Sequence, residues 1–246
     1  MRAAFFSVLV FLVLMQTAFG RAFPKSGNYH IFIQGQYAGS CKFTSGLKSD
    51  LIIIDSETNI DFAGDAYNIK CHTELDSESY KPVSIFYNGN KPGTDSFSGR
   101  VFLERDSIVG DQKVSGNTYE SRLPLSKDVE TIFFENYVID HEIVLARAYL
   151  RSKKEYWPVT LFYPSDFMAS KAKVTVSSEF EMETQKGPLV CTKLIVAQEG
   201  SVPFYSYLDM DTHVPIYLDF PSTSTEVFLD GYFSREVRTK YHKLEK

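Results

Sequence analysis

Three adjacent titratable residues, Asp140-His141-Glu142, stand in a stretch free of Gly and Pro between Asp128 and Arg151, and Asp209, Asp211 and His213 alternate further along the chain. Carboxylates beside an imidazole are the ingredients of general acid–base catalysis. Adjacent residues on a helix do not face one another, so at most one of the first three points into any one site, and a polar patch on an apolar helix is the plainer reading. Asp209, Asp211 and His213 would share one face of a continuous strand, a geometry able to hold a divalent metal. Asp and Thr also form turns, and a hairpin between a strand ending at Leu208 and one starting at Pro215 uses the same residues with no metal. The hairpin is the favoured reading.

Stronger catalytic signatures are absent from the sequence. There is no Gly-x-Ser-x-Gly elbow to carry a nucleophilic serine, and no Gly-x-x-x-x-Gly-Lys-Ser/Thr loop to cradle phosphate. Gly-x-Gly-x-x-Gly is missing too, and Leu145 stands where the second ligand of a His-Glu-x-x-His zinc site would be. The expectation is a protein that is not an enzyme and needs no cofactor; a metal-dependent enzyme built on Asp209, Asp211 and His213 is the least favoured alternative.

The elements that must position these residues are mostly strands. Short alternating runs separated by Gly, Asn, Asp and Pro recur from Tyr29 to Leu123 and again from Trp157 to Phe233, at the spacing of an antiparallel meander. Asn88-Gly89-Asn90-Lys91-Pro92-Gly93 reads as the clearest turn. Between the two runs, Asp128 to Arg151 predicts one helix, capped by Asp128 and closed by Arg147 and Arg151, with a strand end at Ile132-Phe133-Phe134 as the alternative. Its apolar face comprises Phe134, Tyr137, Val138, Val144, Leu145, Ala148 and Tyr149. Many antiparallel strands and one long helix are best satisfied when the sheet curls around the helix. The fold class expected is therefore mostly β (α+β), a curled antiparallel sheet forming an incomplete barrel around one main helix.

The chain of 246 residues carries a formal charge of −5, which gives no general attraction to nucleic acid or anionic lipid. Arg2, an apolar run from Ala3 to Met15, and small residues Ala18 and Gly20 before Arg21 have the pattern of a cleaved signal peptide over residues 1–20. The run is shorter than the roughly 20 residues a spanning helix requires. Residues 21–246 are expected to form a single exported domain, periplasmic or extracellular, with no transmembrane segment and a short basic tail over residues 234–246. Of the three cysteines, Cys41 and Cys71 fall in neighbouring predicted strands where pairing is conceivable, and at least one thiol is left over.

The unusual entry in the composition is its rings: 20 Phe, 15 Tyr and one Trp, or 15% of the chain. They crowd the predicted helix and the strand after it. If the sheet closes fully on the helix, they are core. If space is left, Phe133, Phe134, Tyr137, Val138, His141, Leu145, Tyr149, Trp157 and Phe162 would line an apolar cavity suited to an acyl chain or another hydrophobic ligand.

Several landmarks occur in a suggestive order: the leader, Gly35-Gln36-Tyr37-Ala38-Gly39, the meander, ENYVIDHEIVLARAYL, WPVTLFYP and YLDMDTHVPIYLDFP. This resembles secreted bacterial half-barrel proteins of the LolA/LolB-like kind, including related uncharacterised periplasmic families. The resemblance spans most of residues 27–233. It implies an incomplete barrel wrapped around a helical lid, and binding of lipid or lipoprotein acyl chains without catalysis. No cysteine follows the leader to be lipidated, a departure from LolB-type membrane attachment. The leading expectation is an exported, non-enzymatic binder of a lipid or acyl-chain ligand held between sheet and helix. The alternative is a structural or interaction module of the cell envelope, with a solid core and a protein partner.

Overall fold

The computed structural model describes residues 23–91, 94–126 and 128–233. The expected leader and the basic tail lie outside the described residues. The first meander comprises β1 (Ser26–Ile33), β2 (Gln36–Lys48), β3 (Leu51–Phe62), β4 (Asp65–Asp76), β5 (Pro82–Lys91), β6 (Thr94–Leu103), β7 (Ser107–Val114) and β8 (Asn117–Pro124). After β9 (Glu130–Phe133) and the helix α1 (Asp140–Ser152) come β10 (Tyr156–Tyr163), β11 (Met168–Thr184), β12 (Gly187–Gln198), β13 (Phe204–Asp209), β14 (Pro215–Phe220) and β15 (Thr225–Leu229).

All 15 strands form one sheet in the order β8-β7-β6-β5-β4-β3-β2-β1-β15-β14-β13-β12-β11-β10-β9. Each meander runs outward from a central seam where β1 pairs antiparallel with β15, Tyr29 opposite Leu229. Local turn chemistry builds the hairpins. Gln34-Gly35 and Ser115-Gly116 have positive φ at both positions (51° and 76°, 47° and 86°), the conformation whose twist matches that of paired strands. Among the described residues the only parallel pairing joins β9 to β10, Phe133 opposite Phe162, and α1 is the crossover between them.

Period-two alternation decides which side chains face the helix. In β3, Ile52, Ile54, Ser56, Thr58 and Ile60 are buried while their neighbours are more exposed. The main core gathers Tyr29, Ile31, Phe43 and Ile54 from the first meander and Val174, Leu194, Leu208 and Leu218 from the second around Ile143, Leu145 and Ala148 of α1. Ten consecutive helix residues, Asp140 to Tyr149, are buried, so the helix is surrounded on every side. Fully burying a side chain such as Leu145 contributes about 1.5–3 kcal/mol. A second cluster packs Phe133 and Phe162 against Ile85 and Tyr87 of β5 and Phe97 and Val101 of β6. The Tyr87 hydroxyl donates to the Pro164 carbonyl at 2.9 Å, drawing the two ends of the sheet together. The edge strands β8 and β9 do not pair, so the sheet curls without closing into a barrel. The expected incomplete barrel around one helix is the observed architecture.

Three local expectations are corrected. The helix begins at Asp140 rather than Asp128: Ile132 and Phe133 bury themselves better in a strand beside Leu161 and Phe162, and the chain needs residues 134–139 to turn from that strand into the helix. The strand β5 continues through Asn88-Gly89-Asn90 to Lys91, which pairs with Thr94, so the first four residues of the expected Asn88-to-Gly93 turn are strand. The last strand stops at Leu229, not Phe233. The cysteines also separate. β3 lies between β2 and β4, placing Cys41 and Cys71 two strand spacings apart, roughly 10 Å, which exceeds disulfide reach. All three cysteines are buried free thiols.

The rings divide between the two faces of the sheet. On the face away from the helix, Tyr207, Tyr217 and Phe228 stack across β13, β14 and β15 with centroids 5.0 and 4.8 Å apart. Phe32 of β1 extends the row, 5.6 Å from Phe228. Phe233 folds back over it, 5.1 Å from Phe228, and Tyr232 is held by the Gln185 N–H at 2.8 Å. This outer row is a second destination for the aromatic excess, one that the crowding near the helix does not reveal.

Candidate functional site: a cavity at the start of the helix

The link from β9 to α1, Phe134 to Ile139, is fixed at nearly every residue. The Phe134 N–H donates to the Phe162 carbonyl at 2.8 Å, and the Thr58 hydroxyl donates to the Tyr137 carbonyl at 2.8 Å. Tyr137 takes a left-handed φ of 63°, an uncommon conformation for a large side chain, and its ring packs edge-on to Tyr67 at 5.5 Å. Glu135 is buried and its carboxylate accepts from the Ser165 N–H (2.7 Å), the Ser165 hydroxyl (2.8 Å) and the Asn136 N–H (3.1 Å). Burial pushes the Glu135 carboxyl up to about 7 despite the Ser165 bonds, which favour the charged form.

Asp140, His141 and Glu142 diverge, as adjacent helical residues must. Asp140 lies toward β2 and β3. Burial raises its carboxyl to about 6 and the nearby Ser56 hydroxyl offsets part of that rise, while burial, aided by the Asp140 charge, pushes the Cys41 thiol up to about 12. His141 turns toward β4. Its Nδ1 accepts the Glu135 N–H at 2.9 Å, so the neutral ring carries its proton on Nε2, facing the Thr73 hydroxyl at 3.2 Å. Burial depresses it to about 3, which keeps the ring uncharged. With both nitrogens engaged, His141 braces the turn rather than moving protons.

Asp140 has no hydrogen-bond partner on either carboxyl oxygen and faces no open space, whereas Glu142 shares that lack of partners and does face one. It is 2% exposed, neither carboxyl oxygen has a hydrogen-bond partner, and burial lifts it to about 8. It lines a cavity of about 440 Å³ together with the link residues Phe134 to Ile139. Phe204 of β13, Phe220 of β14, Thr225 and Val227 of β15, Tyr163 of β10 and Tyr67 of β4 complete the walls. The rings form a continuous chain: Phe134 lies 5.8 Å from Tyr163 and 5.5 Å from Phe204, which stacks on Phe220 at 5.1 Å. Exposed Asn136, Ser201, Val202, Ser222 and Thr223 mark the rim. The volume falls within the ~300–1,000 Å³ of small-molecule sites.

Of the residues expected to line a cavity, Phe134, Tyr137 and Val138 do so. Phe133 and Phe162 are packed in the second cluster, and Leu145, Tyr149 and Trp157 fill the main core. The Trp157 indole N–H donates to Glu130 at 2.9 Å, and Arg151 reaches the same carboxylate at 3.2 Å, securing the far end of the helix. His141 is buried beside the cavity without lining it. Sequence reasoning missed Glu142 as a cavity residue and missed Tyr67, Phe204 and Phe220, which come from strands distant in sequence.

Asp209, Asp211 and His213 form the hairpin. Asp209 Oδ1 accepts from the N–H of Asp211 (2.7 Å) and Thr212 (3.3 Å), and Oδ2 accepts from the Thr212 hydroxyl (2.9 Å). His213 has φ 56° and donates its N–H to the Asp209 carbonyl at 2.7 Å. No group of three His, Cys, Asp or Glu side chains able to hold a metal occurs among the described residues.

No protein-family profile matches the chain, and no curated protein matches it. Among solved structures, a DUF1089 family protein from Pseudomonas aeruginosa resembles it with a TM-score of 0.46 and 9% identity over 83% of this chain and 94% of that one. No helix of the described residues is long and apolar enough to cross a membrane.

Proposed function

We propose that the protein binds a small hydrophobic ligand in the cavity at the start of α1, without catalysis. The observation that carries this reading is the unbroken chain of rings from Tyr163 through Phe134 and Phe204 to Phe220, bordering a cavity of about 440 Å³. Aromatic faces exposed to an interior space gain free energy when an apolar molecule replaces water there. Leu145, Tyr149 and Trp157 are packed in the main core and Phe133 and Phe162 in the second cluster, so the ligand is expected at this end rather than along the whole helix. The half-barrel resemblance supports the same reading, and the pattern of residues 1–20 supports export to a periplasmic or extracellular location.

Native mass spectrometry of protein purified from its own compartment, followed by solvent extraction, tests the reading directly. A discrete added mass that is lost on extraction, and reduced by Phe204→Ala or Phe220→Trp, is the expected result. Ligand-free protein in every preparation, together with no uptake of apolar probes, overturns it. A stable envelope-protein partner without a ligand would favour the interaction-module reading instead.

A further inference from the structure

The cavity has a chemical polarity as well as a shape. Its charged lining residues are Glu135, Glu142 and Asp166, and no Lys, Arg or His is among the described residues that line it. Glu135 is already satisfied by Ser165 and Asn136. Glu142 differs: it is buried, lines the space, and has two carboxyl oxygens with no hydrogen-bond partner. An unsatisfied buried carboxyl costs free energy that a ligand recovers by supplying a donor. Rings line the same space, and their faces attract cations.

We infer that the ligand is an amphipathic amine, its apolar part against the Phe134, Phe204 and Phe220 rings and its ammonium group hydrogen-bonded to Glu142. This rests on the proposed binding of a hydrophobic ligand and specifies its polar end. An ammonium supplies three donors and a positive charge, which draws the proton off the buried Glu142 carboxyl so that the ion pair can form. A fatty acid would bring a further acidic group into a space whose titratable lining residues, Glu135, Glu142 and Asp166, are all acids. A fatty alcohol satisfies one oxygen without the charge. The ion pair forms where water is largely excluded, so both partners must be present for the charge to be tolerated.

Three probes of equal chain length separate these cases: decylamine, decan-1-ol and decanoic acid, each titrated calorimetrically at pH 7 below its micellar concentration. Decylamine is expected to bind at least about tenfold more tightly than decanoate, with decanol between them. Glu142→Gln should weaken decylamine by about tenfold or more while leaving decanol within about threefold. Its melting temperature, unchanged or raised, shows that the variant is folded. Decanoate binding as tightly as decylamine, or decylamine affinity surviving in Glu142→Gln, overturns the amine assignment while leaving a hydrophobic ligand in place. Failure of all three probes to bind overturns the assignment together with the binding function beneath it.

Discussion

Glu135 and Ser165, 30 positions apart, are joined twice: one carboxylate oxygen accepts the Ser165 N–H at 2.7 Å and the other accepts its hydroxyl at 2.8 Å. The pair ties the link that follows β9 to the turn that follows β10, and so fixes one wall of the cavity. Ser165→Ala removes only the hydroxyl bond. It should cost about 1 kcal/mol in urea unfolding, because that oxygen loses the hydroxyl but keeps the Asn136 N–H at 3.1 Å. Glu135→Gln should cost about 1–3 kcal/mol, since its amide NH₂ would face a donor where the carboxylate accepted one.

Stability should fall as pH rises from 6.5 to 8. Burial raises Glu135 from 4.5 to about 7, Asp140 from 3.8 to about 6 and Glu142 from 4.5 to about 8. Each such carboxyl holds its proton longer in the folded state than in the unfolded one, so its stabilising contribution is complete below the unfolded value and is lost as pH climbs to the folded one. His141, lowered from 6.5 to about 3, works the other way, but only between those two values. Above 6.5 the carboxyls act unopposed. Glu142→Gln should flatten the decline, gaining on the order of 4 kcal/mol at pH 8 relative to the parent and much less at pH 5, measured by urea unfolding. An unchanged slope would show that Glu142 reaches water in the folded protein.

The three thiols should resist alkylation in the folded protein. Cys41, Cys71 and Cys191 are buried, and burial pushes the Cys41 and Cys191 thiols up to about 12. Thiolate is the reactive form, so little is available at pH 8. Intact-mass analysis after iodoacetamide should show no adduct without denaturant and three adducts with it, with no prior reduction needed.

Leu145→Asp should destabilise strongly, by about 3–5 kcal/mol, because it places an unpaired carboxyl among apolar side chains on a helix enclosed by the sheet. Leu145 is 1% exposed and packs in the main core. A melting temperature close to that of the parent would contradict this placement.

The strands were legible because alternation and turn residues are local. β3 displays its inward face as Ile52, Ile54 and Ile60 in plain sequence, and most strands fall where the alternation predicts them. The helix start was not legible. Ile132-Phe133 is apolar in a way that suits strand or helix, and only its pairing with Leu161-Phe162 decides. The cavity was legible in part: Phe134, Tyr137 and Val138 lie near the helix in sequence, whereas Tyr67, Phe204 and Phe220 reach it through the curl of the sheet. Glu142 was seen as one of three polar neighbours, but which of the three faces open space depends on tertiary packing. The outer stack of Tyr207, Tyr217 and Phe228 follows from strand register, which ring counts do not convey.

The seam between β1 and β15 has a consequence for how the molecule is assembled. Most neighbouring strands in either meander are joined by short turns and can pair as they leave the ribosome, but Tyr29 must wait for Leu229. Until that late encounter, β1 presents an unpaired edge in the middle of what will become the sheet, and α1 has walls from one half only. Contacts so distant along the chain slow folding. Nascent protein is thus exposed to pairing with the wrong partner until nearly the whole described chain has been made, and chaperone demand should be set by the last strand rather than by the first meander.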